Sequence, residues 1–273
     1  MKPAQADPYL DKLDDAVLRQ LESQGATQRF VVGNPTTGNE TVIDVNFSNG
    51  TGVPRSRTTS ANRFAKVDIP RRFLLRSVGW MDALALSDAN SDVRARLPDY
   101  QAAFVPTDLT VPVPFWKRIG QEPEQAGETR RTMDYSTSFQ KKFLSTVLLI
   151  EAHEFSHIIL DHRRSASSIL LEQEAEADGA SVVFFRAIVN LLPEEAERQL
   201  RTIRDGMPAL FTLTNDAYVD PGYPPLACRI RRLAGSEFDD VVLGTEDCAI
   251  YGAAFERGEE QMRGLIESGL SMQ

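Results

Sequence analysis

Cysteine and histidine are both scarce in this chain, and each scarcity excludes something. Only Cys228 and Cys248 stand among 273 residues, too few for a disulfide framework and too far apart for a CxxC metal site. They are expected to be the reduced thiols of a cytoplasmic protein. Long hydrophobic runs are missing as well. The longest, Val147 to Leu160, is interrupted by Glu151, His153, Glu154 and His157, and is too short and too polar to span a bilayer. The N-terminus, MKPAQADPYLDKLDD, does not show the basic-then-apolar order of a secretory signal. Basic excess is lacking too. Thirty Lys and Arg face 39 Asp and Glu, for a formal charge of −9, a field that repels nucleic acid in bulk. No nucleic-acid and no membrane partner is expected. What remains, 42% apolar and 25% charged residues, is the composition of a globular protein rather than a disordered or fibrous one.

The periodicity predicts a helix over residues 8–24, then strands at 30–33 and 41–47 separated by the turn-like NPTTGN. SNGTGVPRSRTTSAN reads as a loop, residues 62–69 as a short strand, and 71–86 as a helix with Phe73, Leu74, Val78, Met81 and Leu84 inward. Arg55, Arg57, Arg63, Lys66, Arg71, Arg72 and Arg76 stand against the lone acid Asp68. A solvated face explains this run better than a site for an acidic partner. Between residues 97 and 137 the prolines Pro98, Pro106, Pro112, Pro114 and Pro123 break any helix. Nothing regular is expected there beyond a strand at 109–113, and QEPEQAGETRR reads as an exposed excursion. Ser138 to His162 is the strongest helical segment, apolar on every side and therefore central. A second helix, capped near Ser167, should run to Leu192, a third should span Pro193 to Asp205, and a last one should occupy 245–270.

All three histidines, His153, His157 and His162, fall within ten residues of the central helix. His153-Glu154-Phe155-Ser156-His157 is an HExxH motif. Histidines at i and i+4 lie one turn apart on one face and can present both imidazoles to a single zinc ion. Glu154 is rotated about 100° from His153, beside the metal rather than on it, where it can take a proton from water. A third ligand is then needed. A histidine six residues after His157 would serve, but Arg163 holds that position and His162 is one residue off. The run LEQEAEADGA offers Glu172, Glu174 and Glu176. Glu174 shares its helical face with Leu170, Leu171, Ala177, Ser181, Phe185 and Ile188, whereas Glu172 and Glu176 point about 160° away. Glu174 is therefore the expected inward ligand. Asp178, one turn on, is placed to accept a hydrogen bond from a ligating histidine.

HEFSH followed by EAEAD resembles the gluzincin metallopeptidases, most closely the M48-type pattern of HExxH followed by ExxAD. The resemblance implies zinc as cofactor, held by His153, His157 and Glu174, with Glu154 as general base and Asp178 behind the metal. Tyr223-Pro224-Pro225-Leu226-Ala227-Cys228-Arg229-Ile230 is similar to the HPPxxxRI segment of that family, with tyrosine replacing histidine. It makes Tyr223 or Arg229 the candidate donor to the oxyanion. Asn62-Arg63-Phe64-Ala65 loosely resembles the strand entering that family's active-site edge. The short connection between the helices is also similar to the Lit-type phage-exclusion peptidases and the ImmA/IrrE metallopeptidases, although the latter usually carry Asn where this chain has Asp178. The expectation is a single α+β, zincin-like domain over 1–273, with a small mixed sheet against two metal-bearing helices. Its activity would be zinc-dependent cleavage of a protein or peptide substrate. The competing expectation, a catalytically silent zinc-binding regulatory protein, leaves Glu154 without a use.

Overall fold

The computed structural model describes residues 27–35, 38–48, 54–58, 63–70, 74, 81–82, 84–91, 126–162, 167–188, 228–229, 232 and 248–272. The strands are β1 (Thr27–Asn34), β2 (Asn39–Ser48), β3 (Arg55–Thr58), β4 (Phe64–Pro70) and β5 (Ser271–Met272). The helices are α1 (Ala126–Thr129), α2 (Met133–Ile159), α3 (Ser167–Ile188) and α4 (Ala249–Glu267). The strands form one sheet in the order β3-β4-β2-β1-β5. Only the β2–β4 pair is parallel, so the sheet is mixed and the architecture is α+β.

The β-branched runs that announce β1 and β2 pair them as an antiparallel hairpin, and Gly38 supplies the left-handed residue of its turn (φ 64°). Alternation then sorts the faces. Val32, Ile43, Val45, Val67 and Ile69 are buried, while Arg29 pairs with Asp44 at 2.7 Å on the opposite, solvated face. Phe30 reaches Phe155 of α2 edge-on at 5.3 Å, which seats the central helix on the sheet. On its other side α2 packs against α3, and α3 against α4. The α3–α4 contact is backbone to backbone. A Cβ on Gly179 would lie 2.0 Å from the carbonyl oxygen of Phe255, and one on Gly258 equally close to that of Glu176. Glycine is required at both.

Several expectations change. Residues 55–58, read as loop, form β3 in antiparallel register with β4. This edge strand has no apolar alternation to betray it, because Arg55, Arg57 and Thr58 are all exposed and only Ser56 is covered. Residues 126–137, expected to be irregular, instead hold α1 and the first turn of α2, joined by a turn at 130–132. All the prolines that argued otherwise precede Ala126, and Thr132 caps α2 by accepting from the Tyr135 N–H. The segment is docked, not an excursion: Arg130 forks onto Asp82 at 2.9 and 2.6 Å, and Tyr135 donates to the same carboxylate. Of the segment expected to be helical over 71–86, the described residues 74, 81–82 and 84–86 are helical, and helical backbone continues to 89. In α4 the inward face is Tyr251, Ala254, Phe255, Gly258 and Met262, whereas Ile250 is 62% exposed. Cys228 and Cys248 are not thiols but a disulfide, with Cα atoms 5.3 Å apart. A pair separated by 20 residues has no signature in spacing. The helices expected at 8–24 and 193–205 and the strand at 109–113 lie outside the described residues. Among the described residues no helix is long and apolar enough to cross a membrane.

One buried charge is unsupported. Oε1 of Glu151 has no hydrogen-bond partner, and burial pushes its carboxyl up to about 7. The folded chain therefore holds this proton more tightly than the unfolded chain does. The stability contributed by this group falls as pH rises from about 4.5 to 7, by an amount on the order of 3 kcal/mol. Glu151→Gln is expected to raise stability by that order at pH 8 and by little at pH 5. Denaturant melts at the two pH values check this, and an equal effect at both would refute it.

Candidate metal centre

HExxH lies in the last two turns of α2. The imidazoles of His153 and His157 meet edge to face, with Nε2 atoms 3.1 Å apart. From α3, Glu174 completes a triangle, its Oε2 3.4 Å from His153 Nε2 and its Oε1 3.6 Å from His157 Nε2. Metal–ligand bonds of about 2.0–2.1 Å in a tetrahedron place ligand atoms about 3.3–3.4 Å apart. The observed edges match that spacing, so these three side chains could hold a metal ion. Glu172 is exposed and pairs with Arg257. Glu176, on the other face of α3, is nonetheless mostly covered. Its Oε2 lies 3.2 Å from His162 Nε2 and its Oε1 3.0 Å from Arg257 Nε. The side chains of His153 and His157 are 16% and 14% exposed, which leaves the centre a small opening to solvent.

Asp178 stands behind His153, with Oδ1 2.9 Å from Nδ1. It is itself held by three further donors. Arg229 forks onto it at 2.8 and 2.6 Å, and the Tyr251 hydroxyl donates at 2.9 Å. Arg229, expected near the oxyanion, thus directs two donors at Asp178. Tyr223 lies outside the described residues. Glu154 is buried between α2 and β3 and accepts from both the hydroxyl and the N–H of Ser56. The strand beside Glu154 is therefore β3, whereas Arg63–Ala65, the described part of the segment that resembled an active-site edge, leads into β4, one strand further in.

The electrostatics favour a cation at the triangle. Burial opposes charge on His153, but Asp178 and Glu174 outweigh it and push its pKa up to about 10. Burial lowers His157 to about 3. For Glu174 burial is overcome by the two histidines, and the carboxyl falls to about 2. Asp178 is held well below the carboxylate range, burial being outweighed by Arg229 and His153. Burial chiefly, with Glu174 beside it, raises Glu154 to about 7.

These values give a proton count for metal binding. Around pH 7, Glu174 is already ionised and His157 already neutral, so only His153 must lose a proton before it can ligate. Affinity should rise about tenfold per pH unit between pH 6 and 9. Chelator competition across that range checks it, and a flat profile would show that His153 holds no proton to displace.

Sequence reasoning missed Ser56, Tyr251 and the contacts of His162. Tyr251 had a faint signal, since Tyr251, Phe255, Gly258 and Met262 recur at helical steps. Ser56 had none. No family model, no curated protein and no solved structure matches this chain.

Proposed function

We propose that this protein is a zinc metallopeptidase of gluzincin type that hydrolyses peptide bonds of a protein or peptide substrate. The observation that carries the reading is the position of Glu154. It lies on the metal-facing helix beside the His153–His157–Glu174 triangle but outside it, buried against an edge strand. A site that only stored a metal would have no use for a carboxylate there. Two imidazoles and one carboxylate with an opening to solvent suit zinc in a catalytic setting.

A zinc ion held by these three residues would acidify water and polarise a carbonyl. The chain supplies the rest. Glu154, its proton affinity raised to about 7, is matched to neutral pH both to accept a proton from water and to return it to the leaving amine. Ser56 holds that carboxylate in place from β3. Among the described residues the outer side of β3 is the end of the sheet, where an extended substrate strand could pair and lie across Glu154. Asp178, braced by Arg229 and Tyr251, keeps Nδ1 of His153 as the donor and Nε2 free to ligate.

The test is metal analysis of the purified protein together with proteome-wide detection of new N-termini, wild type against Glu154→Gln. Zinc near one per chain with cleavages unique to wild type would support the reading. Metal without cleavage would favour the silent zinc protein.

A further inference from the structure

Each ligating histidine needs its second ring nitrogen fixed. For His153 this is done by Asp178; for His157 no carboxylate among the described residues is in place. Instead Nδ1 of His157 lies 3.0 Å from Nδ1 of His162, and Nε2 of His162 lies 3.2 Å from Oε2 of Glu176. The contact is produced by the backbone. α2 ends with the His162 N–H bonded to the His157 carbonyl at 2.9 Å and the Asp161 N–H to that of Ile158 at 3.2 Å. Asp161 is in the left-handed region (φ 53°). This is the Schellman arrangement, normally closed by glycine, and it turns His162 back over the last helical turn. Glu176 is in turn held by Arg257 of α4 at 3.0 Å.

We infer that His162 is a positioning residue for the metal centre, accepting the Nδ1–H of His157 and donating its own Nε2–H to Glu176, so that Nε2 of His157 is kept bare and aimed at the metal. This rests on the metallopeptidase reading only in requiring that His153, His157 and Glu174 bind a metal; it does not require cleavage. The proton directions are mutually consistent. A neutral imidazole donates from one nitrogen and accepts at the other, so His157 donates outward, His162 accepts and passes a donor on, and the Glu176 carboxylate ends the chain. The HExxH pattern contains no instruction for this. It depends on the tight turn after Leu160 and on Glu176, two residues before Asp178 on α3.

Cobalt(II) loading tests the inference, with affinity read by chelator competition and geometry by the visible d–d bands. His162→Phe keeps ring volume but removes the acceptor. It is expected to weaken cobalt binding about 10- to 100-fold and to shift the bands. His162→Asn places an amide oxygen where Nδ1 stood and should recover most of both. Wild-type affinity and an unchanged spectrum in His162→Phe would overturn the inference, whereas no cobalt binding by the wild type would overturn the metal centre itself. Should His162→Phe not fold, the zinc-loaded wild type still decides. With three histidines in the chain, nitrogen-15 spectra resolve every ring. His162 should be protonated at Nε2 and bare at Nδ1, and a proton on its Nδ1 would refute the relay.

Discussion

Glu154→Gln is expected to bind zinc like the wild type, to melt no lower, and to lose peptide hydrolysis by about 100- to 10,000-fold, the range for removing a positioned acid–base group. The substitution keeps the shape of the side chain and an oxygen for the hydroxyl and N–H of Ser56 to bond, so β3 should stay on α2. It also removes a carboxylate whose charge is disfavoured by burial, which gives no reason for lower stability. None of the ligand atoms is touched, because Glu154 lies outside the His153–His157–Glu174 triangle. The loss should therefore fall on kcat rather than on metal content. Hydrolysis at the wild-type rate in a zinc-loaded Glu154→Gln protein would remove the proposed mechanism. Loss of zinc in that variant would mean that Glu154 is a ligand and the geometry has been misassigned.

What was legible in the chain is what a single helix encodes. His153 and His157 are neighbours on α2 whatever surrounds them, and the 100° step that sorts Glu174 from Glu172 is a property of α3 alone. Asp178 follows by one more turn. The partners that hold these groups come from far away in sequence: Arg229 and Tyr251 are 51 and 73 residues from Asp178, and Ser56 is brought to Glu154 by the sheet. Such contacts leave no period to read. The polar edge strand β3 reads as a loop because its only covered side chain is a serine. The disulfide has no period either, because its two cysteines become neighbours only where Cys228 meets the start of α4. The His157–His162 contact was hidden for a smaller reason: it needs a left-handed residue, and Asp161 is not the glycine that usually announces one.

Glu174→Ala is expected to abolish stable metal binding, well beyond the about 10- to 100-fold typical of outer partners, while Glu172→Ala leaves it unchanged. The carboxylate of Glu174 lies between both imidazoles at 3.4 and 3.6 Å. It is also the anion whose charge the metal would feel most directly. Asp178 contributes to the pull on His153, but its two oxygens are already forked by Arg229. Removing Glu174 thus takes away a ligand and most of the local negative potential together. Glu174→Gln separates the two effects: it retains an oxygen of similar reach without the charge, and should bind more weakly than wild type but better than Glu174→Ala. Glu172 is exposed and paired with Arg257, so its loss should not reach the centre. Glu176→Ala should fall between, because it unseats His162 rather than a ligand. The measurement is zinc affinity by chelator competition on folded protein, with circular dichroism confirming the fold of each variant. Retention of zinc by Glu174→Ala together with its loss in Glu176→Ala would place the third ligand on the other face of α3, and the triangle described here would no longer be the metal site.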